Sequence, residues 1–219
     1  ALREKGLYDD TALFVWSDHG DYTGDYGLVE KNQNTFEDAL TRVPFLIKPP
    51  RGTAVQPRVA DSMVELVDVT ATLYDLLDLE PGYTSFGRSL LPVVAGEREE
   101  HRDAVFCEGG RLPGESHCAE SKSTSSASPE GMYFPRSGLQ GVEEPLYHNK
   151  ATMCRTREWK YVMRFAEQDE LYDLRHDPGE VRNVIADPAH APALAWMRER
   201  LLRWFHETAD AVPFDEDSR

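Results

Sequence analysis

Short apolar runs alternate with long polar stretches along the chain, and each run has the length or spacing of one element. Thr11-Ala-Leu-Phe-Val-Trp16 is a continuous apolar run, which fits a buried strand of a parallel or mixed sheet. Val43 to Ile47, stopped by Pro49-Pro50, reads as a second strand, with Lys48 to Gly52 as a turn. Met63, Leu66, Val67, Thr70, Leu73, Tyr74 and Leu77 recur at helical spacing. They predict an amphipathic helix over 63–79 that ends before Pro81-Gly82. Ala104 to Glu108 has strand character. Ala151 to Arg155 and Lys160 to Phe165 flank Thr156-Arg157-Glu158 as a hairpin. Glu170 to Leu174 is a further strand, closed by the turn Asp177-Pro178-Gly179. Leu194, Met197, Leu201, Trp204 and Phe205 line one face of a final helix, with Asp187 as its N-cap and Pro188 in its first turn. Trp159, Tyr161, Tyr172, Trp196 and Trp204 are expected in the core.

Between these patterned regions, residues 109–141 change character. Ser, Gly, Pro and Glu dominate, which predicts a long loop, and loops of that length often carry function. The element order implies an α/β portion over residues 1–99. A C-terminal subdomain over 100–219 follows, an antiparallel sheet packed by the last helix. At 219 residues the chain can bury one core, or one core with an appendage. Its net charge of −15 and pI of about 4.9 argue against nucleic acid and anionic membranes as partners. No apolar run approaches the roughly 18–20 residues of a membrane span. Three cysteines with no CxxC pair argue against a disulfide framework and lean towards a cytoplasmic setting. Ala1 to Leu7 reads as a helix tail capped by Gly6, so the chain is expected to be a piece of a longer protein.

The chemistry concentrates where the first strand ends, at Ser17-Asp18-His19-Gly20. A carboxylate and a neutral imidazole side by side can both ligate a hard divalent cation. Adjacent residues reach one ion only if the backbone bends, which Gly20 permits. As bare residues the same four could equally be an Asx turn with a surface histidine. Further on lie Lys31, Glu37, Arg42 and Pro44. Glu37 and Arg42 fit a scaffold ion pair. Arg111, His117 and His148 sit in or beside the Ser-rich loop.

The block SDHGDYTGDYGLVEKNQNTFEDALTRVPFLI, residues 17–47, resembles the metal-and-lysine half of a type I sulfatase, in the alkaline phosphatase superfamily. Gly87-Arg88-Ser89-Leu90-Leu91-Pro92 is similar to the G-x-S-L-x-P stretch of sulfatases. WKYVMRF…DELYDLRHDPGEVRNV, from Trp159, resembles their C-terminal subdomain. The resemblance covers nearly the whole chain apart from the Ser-rich loop. One position departs from it: Tyr26, in Gly24-Asp25-Tyr26-Gly27, stands where many relatives carry His.

The resemblance implies a fold: the C-terminal part of a sulfatase-like mixed-sheet α/β domain, then a small antiparallel sheet packed by a C-terminal helix. It implies that Asp18 and His19 supply part of a divalent-cation shell, with calcium expected first and magnesium or manganese as alternatives. It implies that Lys31 contacts the sulfate oxygens, where a compact ammonium suits the growing charge. His148, His117 and Arg111 would help choose the leaving group. The formylglycine nucleophile of the family arises in a Cys-x-Pro-x-Arg context, which none of Cys107, Cys118 and Cys154 provides. It is therefore expected in a missing N-terminal part, and these 219 residues alone are expected to lack turnover. A homo-oligomer is possible. A phosphonate monoester or phosphodiester hydrolase, or a non-catalytic stable fragment, are the other readings.

Overall fold

The computed structural model describes residues 1–112, 114–115 and 148–211. They form two compact units. Ala1–Gly20, Arg42–Val105 and the chain from Glu199 make the first, and Asp21–Thr41 with Phe106–Arg198 the second. The result is a mixed α/β fold with antiparallel sheets, a one-turn helix α1 (Asp38–Thr41) in the second unit, and a C-terminal helix.

In the first unit β1 (Leu13–Trp16) pairs antiparallel with β2 (Phe45–Lys48), Leu13 opposite Lys48 and Trp16 opposite Phe45. Among the described residues this sheet has two strands, and Val15, Trp16 and Leu46 are exposed. The expected buried position in a parallel or mixed sheet is not met. A two-stranded ribbon gives each strand one hydrogen-bonded neighbour, so part of a continuous apolar run stays in water.

The amphipathic helix is present as α2 (Val67–Leu76), shorter than the spacing suggested, but the face it buries is a polar one. Asp68, Val69 and Thr72 are buried, while Leu66, Val67, Leu73 and Leu77 are exposed. Asp68 is fully buried because every side of its carboxylate is satisfied. Arg102 Nε donates to Oδ2 at 3.0 Å and Arg102 Nη2 donates to Oδ1. The amides of Glu65 and Arg88 donate at 2.9 and 2.8 Å, and His101 Nε2 lies 3.2 Å away. Arg102 also pairs with Glu65 at 2.9 Å. Burial pushes the Asp68 carboxyl up, but hydrogen bonds from His101, Arg102 and the two amides outweigh it and hold it well below the usual carboxylate range.

The same network explains the stretch from Gly87 to Pro92. A side chain at Gly87 would strike the Val67 carbonyl, so the chain can cross α2 only at a glycine. The next amide, that of Arg88, reaches Asp68, and the Leu90 amide reaches Thr72 Oγ1 at 2.9 Å. Leu90 and Val93 are then buried, and α3 (Leu91–Val94) starts with Pro92 in its first turn. The stretch is thus a docking strap on α2.

In the second unit β3 (Val105–Gly109), β4 (Ala151–Arg155), β5 (Trp159–Arg164) and β6 (Glu170–Asp173) lie side by side in that order. The hairpin β4–β5 pairs Ala151 with Arg164 and Arg155 with Lys160, and β5–β6 pairs Trp159 with Asp173. Both faces are covered. On one, Phe36 packs with Ala151, Met153, Val162 and Cys107. On the other, Tyr161 and Leu171 are fully or almost fully buried, as is Met197 of α4 (Ala191–Thr208), whose residues to Arg198 belong to this unit. Arg198 lies over the Tyr161 ring and binds Asp169 at 3.0 Å. Asp187 accepts the Ala189 amide at 2.9 Å with Pro188 in the first turn, as the sequence predicts. Of the aromatic residues expected in the core, Tyr161 is there, but Trp196 is exposed. Among the described residues no helix is long and apolar enough to cross a membrane.

Two consequences of the Asp68 network are measurable. Asp68→Ala leaves the buried Arg102 with Glu65 as its remaining carboxylate partner and should lower stability by about 3–5 kcal/mol, read from urea denaturation. An unfolded Asp titrates near about 3.9, and the folded Asp68 titrates lower. Its contribution is therefore complete above about pH 5 and lost as the pH falls below about 4. The urea midpoint should be flat from neutral pH to that point and then drop, with a shallower drop in Asp68→Asn.

Candidate active site

Asp18 and His19 follow the last residue of β1 in the first unit. Local hydrogen bonds define their geometry. Ser17 Oγ donates to the His19 carbonyl at 2.6 Å, and the His19 amide donates to Asp18 Oδ1 at 3.0 Å. That amide, and next the His19 ring, hold the Asp18 carboxyl below its ordinary range. His19 Nδ1 lies 2.8 Å from the Gly20 carbonyl. A carbonyl only accepts, so Nδ1 carries the proton and the Nε2 lone pair is left to bind a cation. Nε2 is 3.6 Å from Asp18 Oδ2. Two adjacent ligands of a hard divalent cation at about 2.3–2.6 Å are separated by about 3.3–3.7 Å. The pair therefore fits two neighbouring positions of a metal shell. Among the described residues no group of three or more His, Cys, Asp or Glu side chains could hold a metal ion.

Lys31 belongs to the second unit, on a loop that runs across the sheet face lined by Phe36. It is half-buried. Two residues on, the Gln33 carbonyl accepts the Gly110 amide at 2.9 Å. Asn34 Nδ2 donates to the Asn149 carbonyl at 3.2 Å. The Arg111 amide donates to the His148 carbonyl at 2.8 Å, and the Lys150 amide to the Arg111 carbonyl at 2.9 Å. Three segments, 31–36, 109–111 and 148–150, are thus stitched together through backbone groups. The structure brings Arg111 and His148 side by side, and it attaches the Lys31 loop to the same stitch. Arg111 Nη1 donates to the Glu115 carbonyl at 3.2 Å, and His148 is buried. His117 lies outside the described residues.

Sequence reasoning missed the residues that make this stitch. Gly109 and Gly110 stood at the start of a loop, but each is required. A side chain at Gly109 would overlap the Gln33 carbonyl, and one at Gly110, with φ of +71°, the Asn149 carbonyl. It also missed Lys160. Its ammonium is completely buried and binds the Phe36 carbonyl and Asp38 Oδ1, both at 2.8 Å, and Glu180 Oε2 at 2.6 Å. Arg155 adds a bidentate pair to Asp38 at 3.0 and 2.9 Å. Burial pushes the Asp38 carboxyl up, but Lys160 and Arg155 overcome this and hold it at about 2. Burial raises Glu180 instead. A lysine inside a strand otherwise fit for burial was the available signal, since such a charge demands a buried carboxylate. Glu37, read as scaffold, accepts the hydroxyl of buried Tyr22, whose titration is raised by burial and by that carboxylate.

The family model described as Sulfatase matches residues 1–79, which contain Asp18, His19 and Lys31. Residues 1–79 thus match the sulfatase family model, and sulfatases resemble the chain over nearly its full length. Choline-sulfatase of Rhizobium meliloti is 28% identical over 225 residues, covering 100% of this chain and 36% of the relative. Multifunctional alkaline phosphatase superfamily protein PehA of Trinickia caryophylli is 27% identical over 217 residues, covering 95% of the chain and 37% of the relative. The crystal structure of phosphonate monoester hydrolase of Agrobacterium radiobacter superposes with a TM-score of 0.73 at 25% identity, over 98% of this chain and 41% of that one. The chain thus spans little more than a third of the length of the relatives it matches, and the mixed α/β architecture is that of the superfamily.

The stitch has its own test. Gly110→Ala should lower stability by more than about 1 kcal/mol, because it combines a left-handed backbone with a clash. Gly179→Ala, where an added side chain meets nothing within 4 Å, should leave the urea midpoint unchanged.

Proposed function

We propose that the chain is the C-terminal portion of a metal-dependent sulfatase that hydrolyses a sulfate ester. The observation that carries this reading is the sulfatase family match over residues 1–79, which spans Asp18, His19 and Lys31 together. Asp18 Oδ2 and His19 Nε2 would hold part of the shell of a divalent cation, calcium in the first instance. Gly20 fixes the tautomer that makes His19 a ligand. When bound, such an ion would supply Lewis-acid charge stabilisation. Lys31 would place its ammonium against the ester's anionic oxygens. Among the described residues it makes no hydrogen bond or ion pair with a protein group, which suits a side chain kept for a ligand. Arg111 and His148, with His117, would border the leaving group. The formylglycine that sulfatases use as nucleophile would come from polypeptide outside these 219 residues.

A second reading has a specific observation in its favour. The likeness to a phosphonate monoester hydrolase at a TM-score of 0.73 supports a tetrahedral phosphorus ester as the substrate. Both readings need the same cation and the same ammonium, since a sulfate ester and a phosphonate monoester are both anionic and tetrahedral.

The test uses the active polypeptide that carries these residues, assayed against an aryl sulfate and an aryl phosphonate monoester. The sulfatase reading expects the higher kcat/KM on the sulfate. Lys31→Ala should lower kcat/KM by about 10²–10³-fold, the loss typical of one transition-state charge donor. Asp18→Asn should weaken binding of the divalent cation measured by titration. A Lys31→Ala enzyme with parental kcat/KM on both esters would overturn the assignment of Lys31.

A further inference from the structure

The turn that closes the C-terminal sheet grips the Lys31 loop on both sides of Lys31. Before Lys31, Tyr26 donates its hydroxyl to the Gly179 carbonyl at 2.9 Å. After it, the Asp38 amide donates to Glu180 Oε1 at 3.0 Å. Glu180 Oε2 is held in turn by the buried ammonium of Lys160 at 2.6 Å, which also binds the Phe36 carbonyl. The turn is rigid. Asp177 accepts the amides of Val181 and Arg182 at 3.2 and 2.8 Å, and the Glu180 amide donates to the Asp177 carbonyl at 3.1 Å.

The gripped loop needs such support. Thr23, Gly24, Tyr26, Gly27 and Glu30 all have positive φ, at 47°, 114°, 55°, 71° and 65°. Three of these are not glycine, and such a backbone persists only where its surroundings over-determine it. Tyr22 supplies a second anchor. Its buried ring meets the Tyr26 ring edge-on at 5.8 Å, and its hydroxyl reaches Thr35 at 2.8 Å. The loop is therefore tied down at Tyr22, Tyr26, Phe36 and Asp38. The intervening Lys31 is tied to no described residue.

We propose that Tyr26 is a positioning residue for Lys31: its hydrogen bond to the turn at Gly179 fixes the loop that presents the ammonium to the anionic ester. The proposal rests on the reading of Lys31 given above. It gives a role to the one position at which the metal-and-lysine block departs from its family pattern. A tyrosine reaches across to the turn through its para hydroxyl, which the shorter imidazole of the usual His does not have.

Tyr26→Phe tests this, because it keeps the ring against Tyr22 and removes only the bond to Gly179. Trypsin cleaves after lysine, so the rate of cutting after Lys31 reports how firmly the loop is held, whether or not the protein turns over. Tyr26→Phe should raise that rate at least fivefold. In the active polypeptide it should lower kcat/KM on an aryl sulfate about tenfold, and in a Lys31→Ala background it should lower it no further. A merely structural tyrosine would cost the same in both backgrounds, and that result would overturn the proposal. So would a Tyr26→Phe protein whose cleavage rate and kcat/KM both match the parent. If Lys31→Ala alone keeps parental kcat/KM while Tyr26→Phe still speeds cleavage, the functional reading of Lys31 has failed. The role of Tyr26 towards the ester then falls with it, although the loop clamp itself is real.

Discussion

The second unit depends on one buried ammonium. Lys160 sits in the middle strand of the hairpin pair with no exposure to water. A charge in that position is tolerated only when it is paired and its donors are used. Its three hydrogen-bonding partners are Phe36, Asp38 and Glu180, and they come from parts of the chain far apart in sequence. The need to satisfy a single cation therefore brings together the loop of residues 31–41, the hairpin β4–β5 and the turn after β6. Removing Lys160 would leave Glu180 buried without its ammonium partner and Asp38 paired with Arg155 alone.

Around that centre the backbone does most of the positioning. Gly109 and Gly110 let two carbonyls, from Gln33 and Asn149, approach within contact of the chain. Amide-to-carbonyl bonds then join the three segments that carry Lys31, Arg111 and His148. Such bonds fix where a side chain starts without constraining where it ends. This arrangement fixes the Lys31 backbone while its long side chain keeps its rotamer freedom. The first unit follows the same logic with the sign reversed. There a buried carboxylate, Asp68, collects Arg102, His101 and two amides, and the strap from Gly87 to Pro92 is ordered by them.

The candidate metal pair is built differently from both. Asp18 and His19 are bonded to each other and to Gly20 and Ser17, all within four consecutive residues. Their pre-arrangement is local, and the side chain of Asp18 is largely exposed. The tautomer and spacing of such a pair are therefore fixed without help from distant residues.

Much of this was legible in the residues alone. Strand and helix positions followed from period and punctuation, because β-branched and aromatic runs, proline stops and the Asp187-Pro188 cap act over a few residues. Asp18, His19 and Lys31 could be singled out as candidates because they stand in one contiguous block. What the sequence could not show is which face of a patterned segment would be buried. Helix α2 buries Asp68 and Thr72 and leaves its leucines out, a choice decided by the position of Arg102 some thirty residues later. Likewise the roles of Gly109, Gly110, Tyr26, Lys160 and Glu180 are contacts between residues distant in the chain. Local propensity reports what a residue can do with its neighbours in the chain. Only the tertiary structure decides which distant group will share a buried charge, and here that pairing fixes the loop on which Lys31 sits.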